Sequence, residues 1–101
     1  MIAYNVTVKV DLAVHELWVR WMKEDHIPKV LETGCFTEFK FYRIMEENQT
    51  DGMTYAVQYM TPELSKYFDY HEKYAQGLQK ESKDTWGERY AAFRTLLREV
   101  E

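Results

Sequence analysis

Ile2-Ala3-Tyr4-Asn5-Val6-Thr7-Val8-Lys9-Val10, residues 2–10, alternates large apolar side chains with small or polar ones. Period-two alternation of β-branched and aromatic residues marks a strand whose two faces meet different surroundings. The Ile2, Tyr4, Val6, Val8, Val10 face suits a core, and the Ala3, Asn5, Thr7, Lys9 face does not. Downstream the period changes. Asp11 can cap a helix. Val14, Leu17, Trp18, Trp21 and Met22 then fall at the i, i+3, i+4, i+7, i+8 spacing of one buried helical stripe, with Glu16, Arg20, Lys23 and Glu24 opposite. Pro28 predicts an end or kink near His26 and Ile27, because its ring clashes with the preceding turn and it lacks an N–H. A short turn from Pro28 to Thr33 follows, and Gly34 supplies a left-handed stop.

Residues 36–45 read as a second strand and 53–60 as a third. The polar segment Glu46–Gly52, with Asn48 and the pair Asp51-Gly52, turns the chain between them. Thr61-Pro62-Glu63 is a helix start. Leu64, Tyr67, Phe68, His71, Tyr74, Ala75 and Leu78 form the expected buried stripe of that helix, which weakens near Gly77 and gives way to a polar exit over Lys80–Gly87. Arg89–Val100 suits either a helix or a strand. Tyr90, Phe93, Thr95 and Val100, and the need of a three-stranded sheet for a fourth, favour a strand. The order is βαββαβ, one domain over residues 1–101. The expected fold is α+β and ferredoxin-like, a four-stranded antiparallel sheet with both helices on one face. The other face is left bare. In the second strand either parity set, Phe39 and Phe41 or Phe36 and Tyr42, would place two aromatics there. A face of that size suits a second copy of the chain, which predicts a homodimer.

Composition bounds the function. The 101 residues are 46% apolar and 30% charged, within the globular range, and carry no apolar run of membrane-spanning length. The net charge of −4 and the lack of a basic stripe argue against nucleic acid and anionic membranes as partners. A single cysteine, Cys35, and an N-terminus unlike a secretory signal suit a cytoplasmic protein. Aromatics reach 16%, with eight Tyr, five Phe and three Trp, more rings than one small core needs. They point to a dimer interface or to a ring-lined pocket.

The run Trp18, Trp21-Met22-Lys23-Glu24-Asp25-His26-Ile27-Pro28, through Gly34 and Phe36, resembles the first-helix signature of dimeric α+β barrel proteins. Together with Met1-Ile2-Ala3-Tyr4-Asn5-Val6-Thr7-Val8 and Phe93-Arg94-Thr95-Leu96-Leu97, it is similar to a bacterial family of about 100 residues within that superfamily, catalogued as a domain of unknown function. The resemblance implies a ferredoxin-like protomer whose bare sheet face pairs with a second copy. The superfamily includes cofactor-independent monooxygenases, haem-degrading enzymes, lactone isomerases and polyketide cyclases, and fold does not choose among them. Some related barrels carry a functional histidine near the position of His26. The haem-degrading members use an Asn, Trp and His set. Asn5, His71 and Trp86 are of the right types, but Trp86 follows His71 and falls in an expected loop, so that set is not transferred.

The residues themselves offer few catalytic motifs. There is no glycine-rich phosphate loop, no nucleophile elbow and no metal-type Cys or His cluster, so neither a metal nor a cofactor is expected. Cys35 reads as a small buried residue. His71 is either a core histidine bonded to a tyrosine hydroxyl or a general base in a pocket. His26 either caps the kink or acts as that base. His15, on the polar side of the first helix, reads as solvated. Arg94, set between apolar neighbours, needs a partner. It either forms a salt bridge or anchors the carboxylate of an acidic ligand. The expected function is a homodimer that binds a small aromatic or polyketide-like molecule between sheet and helices. The candidate base is His26 or His71, and Tyr4, Tyr59, Tyr67, Trp18, Trp21 and Arg94 are candidate ligand contacts. Any chemistry would be metal-free acid/base or monooxygenase-type. The alternative is a noncatalytic interaction dimer whose aromatics fill the core.

Overall fold

The computed structural model describes residues 1–45 and 50–101. Strand β1 (Ile2–Val10) lies inside the sheet, whose order is β2-β3-β1-β4. It pairs antiparallel with β3 (Met53–Thr61) on one side and with β4 (Tyr90–Arg98) on the other. Strand β2 (Glu38–Arg43) forms the far edge, also antiparallel. The alternation of β1 works as its chemistry demands, since directly paired residues share a face. Tyr4, Val8 and Val10 are sealed against the helices, together with the β3 partners Tyr59 of Tyr4 and Tyr55 of Val8, while Met53 beside Val10 is partly buried. Within the segment Arg89–Val100 the strand spans Tyr90–Arg98, as its aromatics favoured.

The first helical region differs from the reading of Pro28 as a break. Helix α1 (His15–Trp21) passes without interruption into a π-helical turn, Met22–His26, and then into α2 (Ile27–Glu32). The Ile27 N–H bonds the carbonyl of Met22, five residues back, and the backbone stays in right-handed helical geometry throughout. The wider turn accommodates the proline, which sits in the first turn of α2 where its missing N–H costs nothing. The disturbance therefore falls where Pro28 predicted it, but as a bulge in a continuous rod. The cap is also displaced. Val14 precedes the helix, and Asp11 instead accepts the Val14 N–H at its carbonyl, 3.1 Å away. Gly34 does close the region, at φ +76, with its N–H on the Leu31 carbonyl.

The second helical region runs further than its sequence suggested. Helix α3 (Leu64–Lys73) ends at Tyr74, whose φ of −125 is not helical, and α4 (Ala75–Trp86) begins at once. Gly77 is tolerated, and Lys80 to Trp86 is helix, not exit loop. The break at Tyr74 also rotates the buried face. Tyr70 and Ala75 are buried, whereas Phe68, His71 and Tyr74 are exposed. Of the expected turn, Asn48 and its neighbours from 46 to 49 lie outside the described residues.

The bare face holds Ala3, Asn5 and Thr7 of β1 with Ala56, Gln58 and Met60 of β3 and, on the flanks, Tyr42, Phe93 and Leu97. Across its middle the Gln58 amide donates to Asn5 Oδ1 at 3.3 Å, and the Asn5 amide donates to Thr7 Oγ1 at 3.0 Å. In β2 this face takes Glu38, Lys40 and Tyr42, while Phe39 and Phe41 turn to the helix side. Phe36 precedes the strand and is buried against Tyr4 and Tyr70. So β2 contributes one aromatic to the bare face, not two, and β4 supplies the exposed Phe93.

The two helix-linked glycines should respond oppositely to a side chain. Neither would meet a neighbouring atom within 4 Å, so backbone preference alone decides. Gly34→Val is expected to destabilise by about 1–2 kcal/mol through strain at positive φ. Gly77→Ala is expected to stabilise by up to ~1 kcal/mol. Urea denaturation of the two variants measures both signs.

Candidate functional site

Between the sheet and the helices lies a cavity whose floor is built by alternate residues of three strands. Tyr4, Val6 and Val8 of β1 share it with Val57 and Tyr59 of β3 and with Tyr90, Ala92 and Arg94 of β4. The roof comes from Trp18, Met22 and His26 of the first helical rod, from Tyr70 of α3, and from Leu78, Gln79 and Ser82 of α4. Val6 shows the effect on burial. It is half-buried, although its neighbours Tyr4 and Val8 on the same face are sealed. The π turn matters here because it sets the rotation of the rod at His26, the last of its five residues.

The walls are largely apolar, and two polar atoms on the residues that line them lack a partner. The Tyr59 hydroxyl and His26 Nδ1 are both buried without a hydrogen-bond partner. Such groups are rare in folded chains, because a buried polar atom left unpaired costs about 1–3 kcal/mol. Burial drives His26 down from 6.5 to about 4, against the opposing pull of Glu81 and Asp25, so its imidazole is neutral at pH 7. Burial likewise pushes the phenols of Tyr59 and Tyr70 up, so both remain donors. Tyr4 is raised by burial too, and Arg94 beside it acts in the opposite direction. Outside the cavity, Lys29 ties the rod to α4, with Nζ 2.7 Å from Glu81 and 3.2 Å from Asp25. Trp21 backs His26, with ring centroids 5.0 Å apart, and meets Trp86 edge-on at 5.8 Å.

Of the residues singled out in the sequence, Tyr4, Trp18, His26, Tyr59 and Arg94 line the cavity. Trp21 and Tyr67 stand one layer behind, Tyr67 with its ring 5.4 Å from Tyr4. His71 is exposed and stacks on the outer side of Tyr67, 6.0 Å away, so it shares no wall with His26. His15 is not simply solvated, since its Nδ1 lies 2.9 Å from the Tyr55 hydroxyl. Sequence reasoning passed over Tyr70, Gln79, Ser82 and Tyr90. The signal for α4 was present: Ala75, Leu78, Gln79, Ser82 and Trp86 keep helical spacing on one face. Two polar residues within that stripe were the mark of a polar cavity.

The cavity encloses about 40 Å3. That is space for water-sized molecules, well short of the roughly 300–1,000 Å3 of drug-sized sites. Leu78 and Gln79 of α4 stand in the cavity wall, and the buried residue of α4 is Ala75. Among the described residues no helix is long and apolar enough to cross a membrane.

This architecture, an antiparallel four-stranded sheet with helices on one face and a ring-lined cavity between them, defines a ferredoxin-like α+β protein. The chain belongs to the DUF4286 family, described as a domain of unknown function, whose sequence profile matches residues 1–100. No curated protein sequence matches it. Among solved structures it is similar to a dimeric ferredoxin-like protein from an uncultured marine organism, with 9% identity, a TM-score of 0.70, and 100% of this chain and 96% of that one covered. It is similar to an ethyl tert-butyl ether (ethd) family protein of Bacillus halodurans, with 11% identity, a TM-score of 0.67, and 99% and 100% covered. It is also similar to a monooxygenase of Streptomyces coelicolor in complex with nanaomycin D, with 13% identity, a TM-score of 0.59, and 99% and 89% covered.

The depressed His26 carries a stability signature. Between pH 6.5 and about 4 the unfolded chain binds a proton at this position and the folded chain does not. Stability from this group is therefore complete above pH 6.5 and falls as the pH drops towards 4, by roughly 3 kcal/mol in all. Denaturant titrations at pH 7 and pH 4.5 should show that loss in the natural chain and a smaller one in His26→Gln. Equal losses in the two proteins would contradict a desolvated imidazole.

Proposed function

We propose that two copies of the chain pair through their bare sheet faces, and that each binds a small aromatic or polyketide-like molecule in its own cavity. The observation that carries the binding reading is the pair of unpartnered buried groups, Tyr59 Oη and His26 Nδ1, in one ring-lined space. A bound molecule with a hydroxyl group would complete both, accepting from Tyr59 and donating to His26 Nδ1. Tyr59, held protonated, donates to an oxygen. His26, held neutral, accepts a proton through its unpartnered nitrogen. Together they support acid/base chemistry on an acidic phenol or enol: the imidazole, too weak a base at about 4 to hold the proton, relays it to water while the Tyr59 O–H stabilises the oxyanion that forms. A phenolate or enolate is electron-rich enough to react with dioxygen, which extends the reading to cofactor-independent oxygenation. Admission of such a molecule requires α4 to move outward. The non-helical joint at Tyr74 and the sparse burial of α4 make it the mobile wall.

For pairing, the bare face carries Phe93 at 64% exposure and a shallow hollow of about 370 Å3 lined by Ala3, Lys40, Gln58, Met60 and Leu97, among others. The dimeric marine protein shares the fold that leaves this face uncovered. A second reading, a noncatalytic interaction dimer, is favoured by the small volume of the cavity.

Three outcomes separate these readings. A thermal-shift panel of aromatic acids, quinones, flavin and haem should raise the melting temperature with at least one ring compound, and silence across the panel would favour the interaction dimer. Tyr59→Phe should stabilise the empty protein by about 1 kcal/mol, by removing an unpaired hydroxyl, and weaken whatever compound the panel finds. Phe93→Asp should abolish the dimer in sedimentation velocity, giving monomer or aggregate. A dimer unaffected by that charge would place the contact elsewhere.

A further inference from the structure

Among the described residues that line the cavity, Arg94 alone carries a formal charge at pH 7. Arg94 lies on the helix-facing side of β4, opposite Val6 of β1, and reaches the cavity wall beside the Tyr4 hydroxyl. No aspartate or glutamate lines that wall among the described residues. The salt bridges among the described residues employ Lys9, Lys29 and Lys80, and none employs Arg94. The two carboxylates that act on His26 from outside, Glu81 and Asp25, are both held by Lys29. The groups that feel Arg94 are Tyr4, Tyr70, Tyr90 and His26. Each of these is neutral at pH 7. Arg94 is exposed and hydrogen-bonds the Tyr4 hydroxyl, so its guanidinium stands at the rim of the cavity with solvent on its outer side. The planar fork of an arginine matches a carboxylate with two parallel hydrogen bonds.

Resting on the reading of this cavity as a ligand site, we propose that its ligand is an aromatic acid, bound as the carboxylate, and that Arg94 selects for it. The ring stacks among the tyrosines and Trp18 while the carboxylate lies at β4 against the guanidinium. The opposite edge of the ring then faces Tyr59 and His26, so the charged end orients the molecule and leaves its far oxygen at the two unpartnered groups. Arg94 is thus a specificity and positioning residue, distinct from the proton-handling pair.

The test is calorimetric titration with 2-naphthoate and its uncharged isostere 2-naphthamide, which differ in charge and little else. The natural protein should bind the acid about tenfold or more tightly than the amide. Arg94→Gln should bring the acid to the level of the amide and weaken amide binding far less than acid binding. Arg94→Lys, which keeps the charge without the fork, should fall between. Lys83→Gln, an exposed charge on α4 away from the cavity, should behave as the natural protein. Equal affinity for both probes, or an Arg94→Gln loss shared equally by acid and amide, would overturn the inference while leaving the cavity as a ring-binding site. Failure of both probes to bind would overturn the cavity reading and this inference with it. An Arg94→Gln protein that melts far below the natural one would be judged on Arg94→Lys alone.

Discussion

The alternation of β1 is the constraint on which the rest depends. Its nine residues are paired along their whole length with β3 on one side and β4 on the other. A slip of one residue would exchange every inward side chain for an outward one, so register and patterning enforce each other. One face must therefore accept Tyr4, Val8 and Val10, and the helices exist to cover them. The other must accept Ala3, Asn5, Thr7 and Lys9, and none of the described helices lies over it. A single strand thereby divides the protein into a side that encloses a cavity and a side that faces outward.

The covered side is assembled from rings. Tyr4 lies within 6.2 Å, centroid to centroid, of Phe36, Tyr59, Tyr67 and Tyr70, and Trp18 packs on Tyr55 and Phe41 at the other end. Aromatic side chains give large buried area with few rotamers, but a tyrosine brings a hydroxyl that must find a partner. Tyr59 does not find one within the described chain, and neither does His26 Nδ1. A core designed for stability alone would place Phe and Leu at these two positions. Their retention at a cost in stability is the physical argument that the space between sheet and helices serves a molecule other than the protein itself.

Much of this was legible in the sequence, and the reasons for the remainder are local. The strand at residues 2–10, the antiparallel order and the left-handed Gly34 follow from period and from the steric freedom of glycine. Helix continuity across Pro28 did not, because proline excludes an α turn but not the wider π turn that absorbs it. Nor did the length of α4, since the cost of Gly77 is smaller than the gain from placing Leu78 and Trp86 against the body of the protein. The misplaced stripe of α3, with His71 inside and Tyr70 outside, came from assuming one straight helix. The break at Tyr74 resets the face. Tyr4, Trp18 and Tyr59 were legible as candidate cavity residues from their inward positions, His26 from the resemblance to related barrels, and Arg94 from a charge set between apolar neighbours. Gln79 and Ser82 were hidden by the polarity of the segment that carries them. The pairing of His15 with Tyr55 depends on contact between residues 40 apart, which no local pattern reveals.

The central proposal is that His26 is a largely desolvated, neutral imidazole whose buried, unpartnered nitrogen is available to a bound ring compound. Nitrogen-15 NMR of the histidine side chains reads it directly. The account predicts that one of the three imidazoles stays neutral throughout pH 5–8. It also predicts that the Nδ1 resonance of that ring moves on addition of an aromatic ligand, while those of His15 and His71 stay in place. A His26 that titrates near 6.5 and is indifferent to every ring compound offered would contradict it.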